Sequence, residues 1–299
     1  MQRQPSNPQD WPRTTIVTAD GYRTIEPKPT SEQLKAYYQD RYFALGRANS
    51  QYAYEYTAEE LEHKYVSPKE CERLVRRAGS LFEVGVGEGF WLDHFARLGW
   101  TVRGVDFTDE GLKRFFPDLS SRIEVGDAFE LLDREITSGR KHELVICNNV
   151  LEHVRDPERL LRDLKQIVAR NGICRIVVPN DGSWLQEEAI KRGNAAPDFY
   201  VTSPEHLSYF TVDSLRRLLT RMGFEIVEML GDFPIDIFLL NPDTAYTKEK
   251  LKGRNCHFAR VAFELALARR SIDDLIAFRR TCAEVGLGRA LVAYVAPRA

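Results

Sequence analysis

The chain has 299 residues, of which 43% are hydrophobic, and its 42 basic side chains nearly balance 44 acidic ones. This composition is typical of a globular protein, and the net charge of -2 gives no electrostatic reason to expect a nucleic-acid or membrane partner. No apolar run is long enough to span a bilayer, no leader-like segment opens the chain and the five cysteines are scattered, so we expect a cytoplasmic protein of unspecified oligomeric state.

The N-terminal part of the sequence changes character near Ser31. Residues 1 to about 30 are rich in Pro, Gln, Thr and Asp without a clear period, which predicts an arm or a poorly ordered lead-in. Helical patterns follow, and seven tyrosines fall between Tyr37 and Tyr65. These tyrosines could pack on the next domain or form an aromatic lid over a ligand. We predict an N-terminal arm and helical lid over residues 1–66 and a main domain over residues 67–299.

Strand-like and helix-like runs alternate through the centre of the chain. The strand-like runs are LFEV, TVRGVDF, RIEVGD, ELVICNN and CRIVVPN, and the helix-like runs between them are WLDHFARLG, DEGLKRFF, AFELLDREI and DPERLLRDLKQIVARN. This alternation predicts an α/β fold with a mostly parallel sheet covered by helices on both faces. Ligands of such sheets bind at the carboxyl ends of the strands, near the switch point beside the first strand.

A glycine loop lies at that point, in the stretch LFEVGVGEGFW. Glycine at such a turn permits positive φ and lets a ligand approach the backbone closely. The dinucleotide fingerprint G-x-G-x-x-G would place a glycine where this chain has Phe90. Glu83, just before the loop, suits a cation such as an ammonium or sulfonium better than a pyrophosphate. Asp106, after the second strand, could accept hydrogen bonds from ribose hydroxyls in either ligand class.

Four motifs in order resemble those of the class I S-adenosylmethionine-dependent methyltransferases. They are EVGVGEG, VDF at Val105–Phe107, GDA at Gly126–Ala128 and NNVLEHV at Asn148–Val154. The most similar branch includes quinone-biosynthesis O-methyltransferases and many sugar and natural-product enzymes, and the resemblance covers roughly residues 75 to 230. It implies S-adenosylmethionine as cofactor and a Rossmann-like, doubly wound, mostly parallel seven-stranded sheet with an N-terminal helical cap and an insertion before the last strand.

The resemblance also implies cofactor-binding residues, all at or near the carboxyl ends of strands. They are Glu83, Gly85, Gly87, Gly89, Asp106, Asp127, Ala128, Asn148 and Asn149. Glu83 and the glycine backbone would hold the methionine end, Asp106 the ribose, and Asp127 with the Ala128 N–H the adenine. The two asparagines would line the mouth of the fourth strand under the methyl-bearing sulfur. Asp127 could equally cap the helix AFELLDREI, and both roles can coexist.

Two histidines are candidates for acid–base chemistry. His153 follows the fourth strand and His206 lies in PEHLSYFT after the fifth. An imidazole can take the proton of an acceptor hydroxyl at neutral pH. His206 is the preferred base, with Tyr209 as a pocket wall behind it, while His153 could instead fix its loop.

The same histidines with Glu152 could also form three ligands of a metal site. No further carboxylate accompanies them apart from Asp181, so we expect no metal and activity that survives a chelator.

The segment 231–285 exceeds what the core fold requires before a final strand at RALVAYVA. It is predicted to be largely helical and, like most insertions in such folds, to build the acceptor pocket. Its candidate substrate-binding residues are Tyr246, Arg254, His257 and Arg260. Their polar, partly cationic character suits O-methylation of a small-molecule or saccharide acceptor, such as a sugar, a nucleotide-sugar or a polysaccharide unit. Alternatives are an N- or C-methyltransferase of a natural-product or quinone-like metabolite and, more remotely, a nicotinamide-dependent oxidoreductase or a non-catalytic nucleotide-binding protein.

Overall fold

A computed structural model describes residues 11–34, 36–37, 55–76, 78–247 and 249–298. Residues 38–54 of the predicted lid lie outside the described residues, and they include four of the seven tyrosines. None of the helices in the described part of the chain combines the length and the apolar character that a membrane crossing requires.

The strands form two sheets. In chain order they are β1 (Thr15–Val17), β2 (Arg23–Ile25), β3 (Ser80–Val84), β4 (Thr101–Asp106), β5 (Ile123–Val125), β6 (His142–Asn148), β7 (Val168–Pro179), β8 (Ser208–Tyr209), β9 (Phe224–Gly231) and β10 (Ala290–Pro297). The main sheet has seven strands in the order β5-β4-β3-β6-β7-β10-β9. Its first five strands run parallel and β10 is antiparallel to both of its neighbours, which confirms the predicted mostly parallel, Rossmann-like sheet.

Helices cover both faces of this sheet. They are α1 (Ala58–Lys64), α2 (Val66–Val75), α3 (Phe90–Arg97), α4 (Glu110–Phe115), α5 (Ala128–Thr137), α6 (Pro157–Ile167), α7 (Trp184–Lys191), α8 (Val212–Arg221), α9 (Lys250–Arg270) and α10 (Ile272–Glu284). One core cluster joins the sheet to α5, α6 and α8, and a second joins its other face to α2, α3 and α10. Strand β6 supplies Val145 and Cys147 to the first cluster and Leu144 and Ile146 to the second. Strands buried on both faces read as continuous apolar runs, which is why this segment was recognisable.

The run DPERLLRDLKQIVARN was predicted to be helical throughout, and this is wrong for its last four residues. Helix α6 ends at Ile167, and Val168 begins β7, where it pairs with His142 before a register shift. The Val168 side chain is buried against the sheet. Sheet pairing and burial of a β-branched residue therefore override the local helical pattern.

The N-terminal segment also differs from its prediction, because residues 15–25 form a hairpin rather than a poorly ordered lead-in. Strands β1 and β2 are antiparallel, and β2 pairs with β8. Ile25 is fully buried, and the Tyr22 ring lies 4.9 Å from that of Phe210. These few anchors stand among polar residues and give no detectable period, although they fix the hairpin on the main domain.

The predicted insertion at 231–285 consists of a short 3₁₀ helix at Ile235–Leu240 and the helices α9 and α10. The helices separate at Ser271, whose side chain accepts hydrogen bonds from the N–H groups of Asp273 and Asp274. Helix α10 packs Ile276 into the core cluster of the main sheet. This helix therefore covers the sheet as part of the core, and α9 is the more peripheral part of the segment.

Candidate active site

The glycine loop joins β3 to α3 with a left-handed backbone at Gly85, Gly87 and Gly89. A Cβ at Gly85 would lie 2.6 Å from a methyl group of Val150, and one at Gly89 would lie 2.1 Å from Leu112. A Cβ at Gly87 would meet no described atom within 4 Å. Gly85 and Gly89 therefore permit close packing, while Gly87 borders open space from which a ligand can approach the backbone.

Asp106 holds this loop in place from the end of β4. Its Oδ2 accepts a hydrogen bond of 2.8 Å from the Gly87 N–H, and its Oδ1 accepts one of 3.0 Å from the Thr108 N–H. Burial raises the pKa of Asp106, and these backbone bonds oppose that rise. The carboxylate thus orders the loop, and its predicted contact with a ribose remains a prediction.

Glu83 lies beneath the loop, 1% exposed, and its Oε2 has no hydrogen-bond partner within the described part of the chain. Burial, and then the neighbouring Asp106 carboxylate, raise the pKa of Glu83 well above its usual value. A buried carboxylate oxygen of this kind is costly unless a cation or a donor reaches it. The site therefore fits a ligand that brings an ammonium or sulfonium group to Glu83.

Arg175, on β7, is a buried cation of this site that the sequence interpretation missed. Its Nη1 donates a short hydrogen bond to Asn148 Oδ1, and its Nε donates one of 3.1 Å to the Tyr294 hydroxyl. The guanidinium also lies 4.4 Å from the ring of Trp91. An arginine inside the apolar run CRIVVP was the available signal, since arginine is rarely buried without a partner. Asn148 is thus oriented by Arg175.

The other predicted cofactor contacts lie on the same edge of the sheet. Asp127 Oδ1 accepts hydrogen bonds of 2.9 and 3.2 Å from the N–H groups of Phe129 and Glu130, so it caps α5. The capping alternative is therefore observed, and the adenine contact of Asp127 and Ala128 remains a prediction. Asn149 has a positive φ of 53° and donates its backbone N–H to Val177, directly after β6.

Helix α1 contacts the glycine loop through Glu88, another residue that the sequence interpretation missed. The Tyr56 hydroxyl donates a hydrogen bond of 2.6 Å to Glu88 Oε1, and Lys64 Nζ lies 2.6 Å from Glu88 Oε2. Lys64 also lies 4.4 Å from the centre of the Tyr56 ring. One tyrosine of the predicted lid therefore touches the loop directly.

Both candidate catalytic histidines lie in one cluster with two carboxylates. One ligand atom each from Glu152, His153 and His206 lies within 4.8 Å of the other two. The two imidazole rings are 4.8 Å apart between centroids, and His206 Nδ1 lies 3.9 Å from Asp181 Oδ2. The structure therefore brings together the residues that the sequence placed after two different strands.

The carboxylates of this cluster are buried. Glu152 is 1% exposed and Asp181 is 3% exposed. Both carboxylate oxygens of Glu152 and Oδ2 of Asp181 have no hydrogen-bond partner among the described residues, while Asp181 Oδ1 accepts a hydrogen bond of 2.7 Å from Arg289. Burial raises the pKa of Glu152 to about 8. The cluster thus has acceptor capacity that the described protein groups leave unused.

Tyr209 lies next to this cluster with its ring almost completely buried. Its hydroxyl donates a hydrogen bond of 2.7 Å to the His206 carbonyl oxygen, and its ring centroid is 6.5 Å from that of His206. Tyr209 therefore fixes the backbone that carries His206, and its predicted contact with a substrate remains a prediction.

The candidate substrate residues of α9 are divided between two places. Arg254 and His257 line a pocket of 430 Å³ together with Glu55, Tyr56, Thr57, Glu60 and Phe258. Arg260 lies beside this pocket, with Nη2 3.4 Å from His257 Nδ1. Tyr246 is not among the lining residues, and its hydroxyl instead donates a short hydrogen bond to Asp236. Among the contacts described above, Tyr56 is the one pocket residue that also reaches the glycine loop, through its hydrogen bond to Glu88.

Comparison with known proteins identifies the domain that contains these residues. A family model for a methyltransferase domain matches residues 54–229. The chain is 31% identical over 129 residues to the ubiquinone biosynthesis O-methyltransferase of Escherichia coli, a match that covers 40% of this chain and 54% of the relative. The matched part of the chain thus spans about half the length of this curated relative.

Two solved structures share the fold. The N1-methyltransferase for 1,6-didemethyltoxoflavin from Burkholderia thailandensis, solved with S-adenosylhomocysteine, superposes with a TM-score of 0.53 at 12% identity, covering 95% of this chain and 99% of that one. A SAM-dependent methyltransferase from Archaeoglobus fulgidus has a TM-score of 0.50 at 16% identity, covering 81% and 95%. The chain therefore belongs to the methyltransferase-domain family, and its fold is that of the two SAM-dependent or S-adenosylhomocysteine-bound structures.

Proposed function

We propose that this methyltransferase transfers a methyl group to a hydroxyl oxygen of a small polar acceptor, such as a sugar, a nucleotide-sugar or a polysaccharide unit. The observation that carries the proposal is the cluster at Glu152, Asp181 and His206, where both oxygens of Glu152, Asp181 Oδ2 and His206 Nδ1 are buried without a hydrogen-bond partner among the described residues. A hydroxylated acceptor offers donors and acceptors to such atoms, whereas an apolar one would leave them unpaired.

The residues of the chain divide between holding the cofactor and activating the acceptor. S-adenosylmethionine supplies a methyl group bonded to a sulfonium, and its transfer breaks the S–CH₃ bond and forms an O–CH₃ bond. Glu83 and the loop at Gly87 would hold the cationic methionine end, with Asp106 ordering that loop. His206 and His153 would act on the acceptor hydroxyl, which must lose its proton to become a competent nucleophile.

Two residues of the cluster, Glu152 and His153, are close in sequence to the asparagines predicted to contact the cofactor. Asn148 ends β6 and Asn149 follows it at the edge proposed to hold the cofactor, and Glu152 and His153 come within five residues of Asn148. The short connection supports an acceptor oxygen between the cluster and the cofactor. Proximity and alignment of this kind account for much of the rate of a displacement.

O-methylation is also favoured by the relative in Escherichia coli, which is named as an O-methyltransferase. Its name refers to ubiquinone biosynthesis, so a phenolic, quinone-like acceptor is the second candidate. The partly charged pocket lined by Arg254 and His257 favours the hydrated acceptor over the lipid-like one.

The test is a panel of acceptors incubated with the full chain and S-adenosylmethionine. The panel contains free sugars, nucleotide-sugars, oligosaccharides, catechols and amines, and the measurements are S-adenosylhomocysteine formation and the mass of the product. We expect a methyl ether on a hydroxylated polar acceptor. Methylation confined to amines would overturn the O-methyltransferase proposal, and turnover only with catechols would replace the saccharide with the phenolic class.

A further inference from the structure

The cluster around Glu152 combines donor atoms from three separate segments. Glu152 and His153 follow β6, Asp181 follows β7 and His206 precedes β8. His153 Nε2 lies 3.8 Å from Glu152 Oε1, and His206 Nδ1 lies 3.9 Å from Asp181 Oδ2. These distances exceed those of hydrogen bonds, so the four groups face one another without closing a network among themselves.

Several polar atoms of the cluster have no hydrogen-bond partner among the described residues. Arg289 donates to Asp181 Oδ1 and leaves Oδ2 directed at His206. Both oxygens of Glu152, Asp181 Oδ2 and His206 Nδ1 are buried atoms without a partner in the described chain. Burying so many unpaired acceptors costs several kcal/mol in total by the usual estimate of about 1–3 kcal/mol for each group. A ligand that contacts all of them at once would remove this cost.

The tautomer of His153 fits such a ligand. Its Nδ1 lies 2.7 Å from the Glu205 carbonyl oxygen. A carbonyl only accepts, so Nδ1 carries the proton and the Nε2 of a neutral ring presents a lone pair on the side of Glu152. A histidine that donates one ring N–H to a backbone carbonyl and uses the other nitrogen as a ligand is the usual arrangement at metal centres.

We infer that Glu152, His153, Asp181 and His206 bind a divalent first-row transition-metal cation. The ligands of a tetrahedral cation at about 2.1 Å stand about 3.4 Å from one another. His153 Nε2 and His206 Nδ1 lie 3.8 and 3.9 Å from a carboxylate oxygen, and the ligand atoms of Glu152, His153 and His206 lie within 4.8 Å of one another, so a shared cation would need side-chain shifts of about 1 Å. Two imidazoles with two carboxylates favour zinc, manganese or iron over magnesium or calcium.

The charges agree with a cation. Glu152 and Asp181 carry two negative charges when ionised, and Arg289 pairs directly with Asp181. A divalent ion would favour the ionised form of both carboxylates and would offset their charge.

This inference replaces the expectation of a metal-free site, which the sequence supported because only Asp181 accompanied the other three residues. The effect of this metal site on the reaction rests on the proposed function. A cation bound here would lower the pKa of a hydroxyl that contacts it, and the proton would leave to solvent water. The two histidines would then serve as ligands, and the cation would take over the activating role that the sequence assigned to an imidazole base.

The test measures metal binding first and activity second. The full chain is treated with a chelator, dialysed, and titrated with Mn²⁺ or Zn²⁺ by calorimetry, with bound metal counted by elemental analysis. We expect one ion per chain, with affinity lowered more than about 10-fold in Glu152→Gln and in His206→Ala. Glu187→Gln, which removes an exposed carboxylate on α7, is the matched control and should bind like the parent.

Retained affinity for S-adenosylhomocysteine shows that a variant is folded. If Glu152→Gln or His206→Ala does not fold, Asp181→Asn replaces it in the test. Absence of a stoichiometric ion, or equal affinity in the cluster variants and Glu187→Gln, would overturn the metal site. Full O-methylation by the chelated, metal-free chain would also overturn it while leaving the proposed function intact. If the chain binds the metal but methylates no hydroxylated acceptor, the metal site is supported and the proposed O-methyltransferase function is contradicted.

Discussion

Gly87 differs from the two other glycines of its loop, because only its Cβ position faces open space. A valine there should abolish cofactor binding, since its branches would fill the approach to the backbone. Gly139 has a similar positive φ and equally open surroundings in the turn before β6, so Gly139→Val carries the same backbone strain. We expect calorimetry with S-adenosylhomocysteine to show binding lost in Gly87→Val and kept in Gly139→Val. Equal affinities would mean that the cofactor lies elsewhere.

Glu83 predicts a pH dependence of cofactor affinity. Because its pKa is raised, the free protein keeps this carboxyl neutral over a wider pH range than usual, whereas a cationic ligand binds the ionised form. Binding should therefore release a proton, and affinity should rise with pH until Glu83 is ionised in the free protein. Glu83→Gln should weaken binding about 10- to 100-fold, the loss of a charge-assisted hydrogen bond, and flatten this dependence.

Calorimetry in buffers of different ionisation enthalpy measures the released proton directly. The free cofactor is the same in both titrations, so a smaller proton release with Glu83→Gln than with the parent assigns the difference to the loss of Glu83. The pKa of the Asp106 carboxyl is also raised, and this carboxyl is present in both the parent and Glu83→Gln. An unchanged pH profile in Glu83→Gln would assign the dependence to Asp106 or to the cofactor.

His206 and His153 share a cluster but differ in their backbone contacts. His153 Nδ1 is hydrogen-bonded to the Glu205 carbonyl oxygen, whereas His206 Nδ1 lies 3.9 Å from Asp181 Oδ2. We expect His206→Ala to lower the single-turnover rate by roughly 10²- to 10⁴-fold, the range for a lost activating group, with cofactor affinity retained. His153→Ala should also lose rate, and should additionally loosen the 205–206 loop. A His206→Ala rate within about threefold of the parent would make His206 a structural residue.

At the scale of elements, a buried ion-pair network joins α2, α9 and α10. Arg279 on α10 contacts Glu70 on α2 at 2.6 Å and also pairs with Glu264 on α9, and all three side chains are at most 3% exposed. Glu70 also accepts a hydrogen bond from Tyr294, a partner of Arg175. The helices of the C-terminal segment are thus connected, through Glu70 and the Tyr294 hydroxyl, to Arg175.

Removing Arg279 should leave Glu70 buried without a cation and Glu264 with His63 as its remaining ion-pair partner among the described residues. We expect Arg279→Met to lower the free energy of unfolding by about 3–5 kcal/mol. Arg280, the next residue, pairs with Glu228 at the surface, so Arg280→Met should cost at most about 1 kcal/mol. Urea unfolding of both variants measures the difference, and similar losses would show that the buried network contributes no more than a surface pair.

At the scale of the whole molecule, the candidate site is assembled from segments far apart in the chain. The glycine loop and β4 supply the cofactor side, β6 and β7 supply Asn148 and Arg175, and the loop before β8 supplies His206. Helix α1 adds Lys64 at Glu88. The parallel sheet makes this possible because the carboxyl ends of its central strands meet at one edge.

The sequence by itself determined the family of the protein and the strand–helix units that carry the predicted cofactor-binding residues. The glycine loop, Glu83 and Asp106 belong to consecutive strand–helix units, where spacing and apolar runs are local properties that a sequence displays directly. The parallel order of the central strands and a helical C-terminal segment were predicted for the same reason.

Only the tertiary structure decided which polar groups meet. Glu152, Asp181 and His206 lie on different loops, and Arg175 is hidden inside an apolar strand, so no local pattern shows that they share a face or lack partners. The hairpin at residues 15–25 and the end of α6 were mispredicted likewise, because pairing with a distant strand outweighed local preference. Burial and unmet hydrogen bonds are properties of segments packed together, and they exist only once the chain has folded.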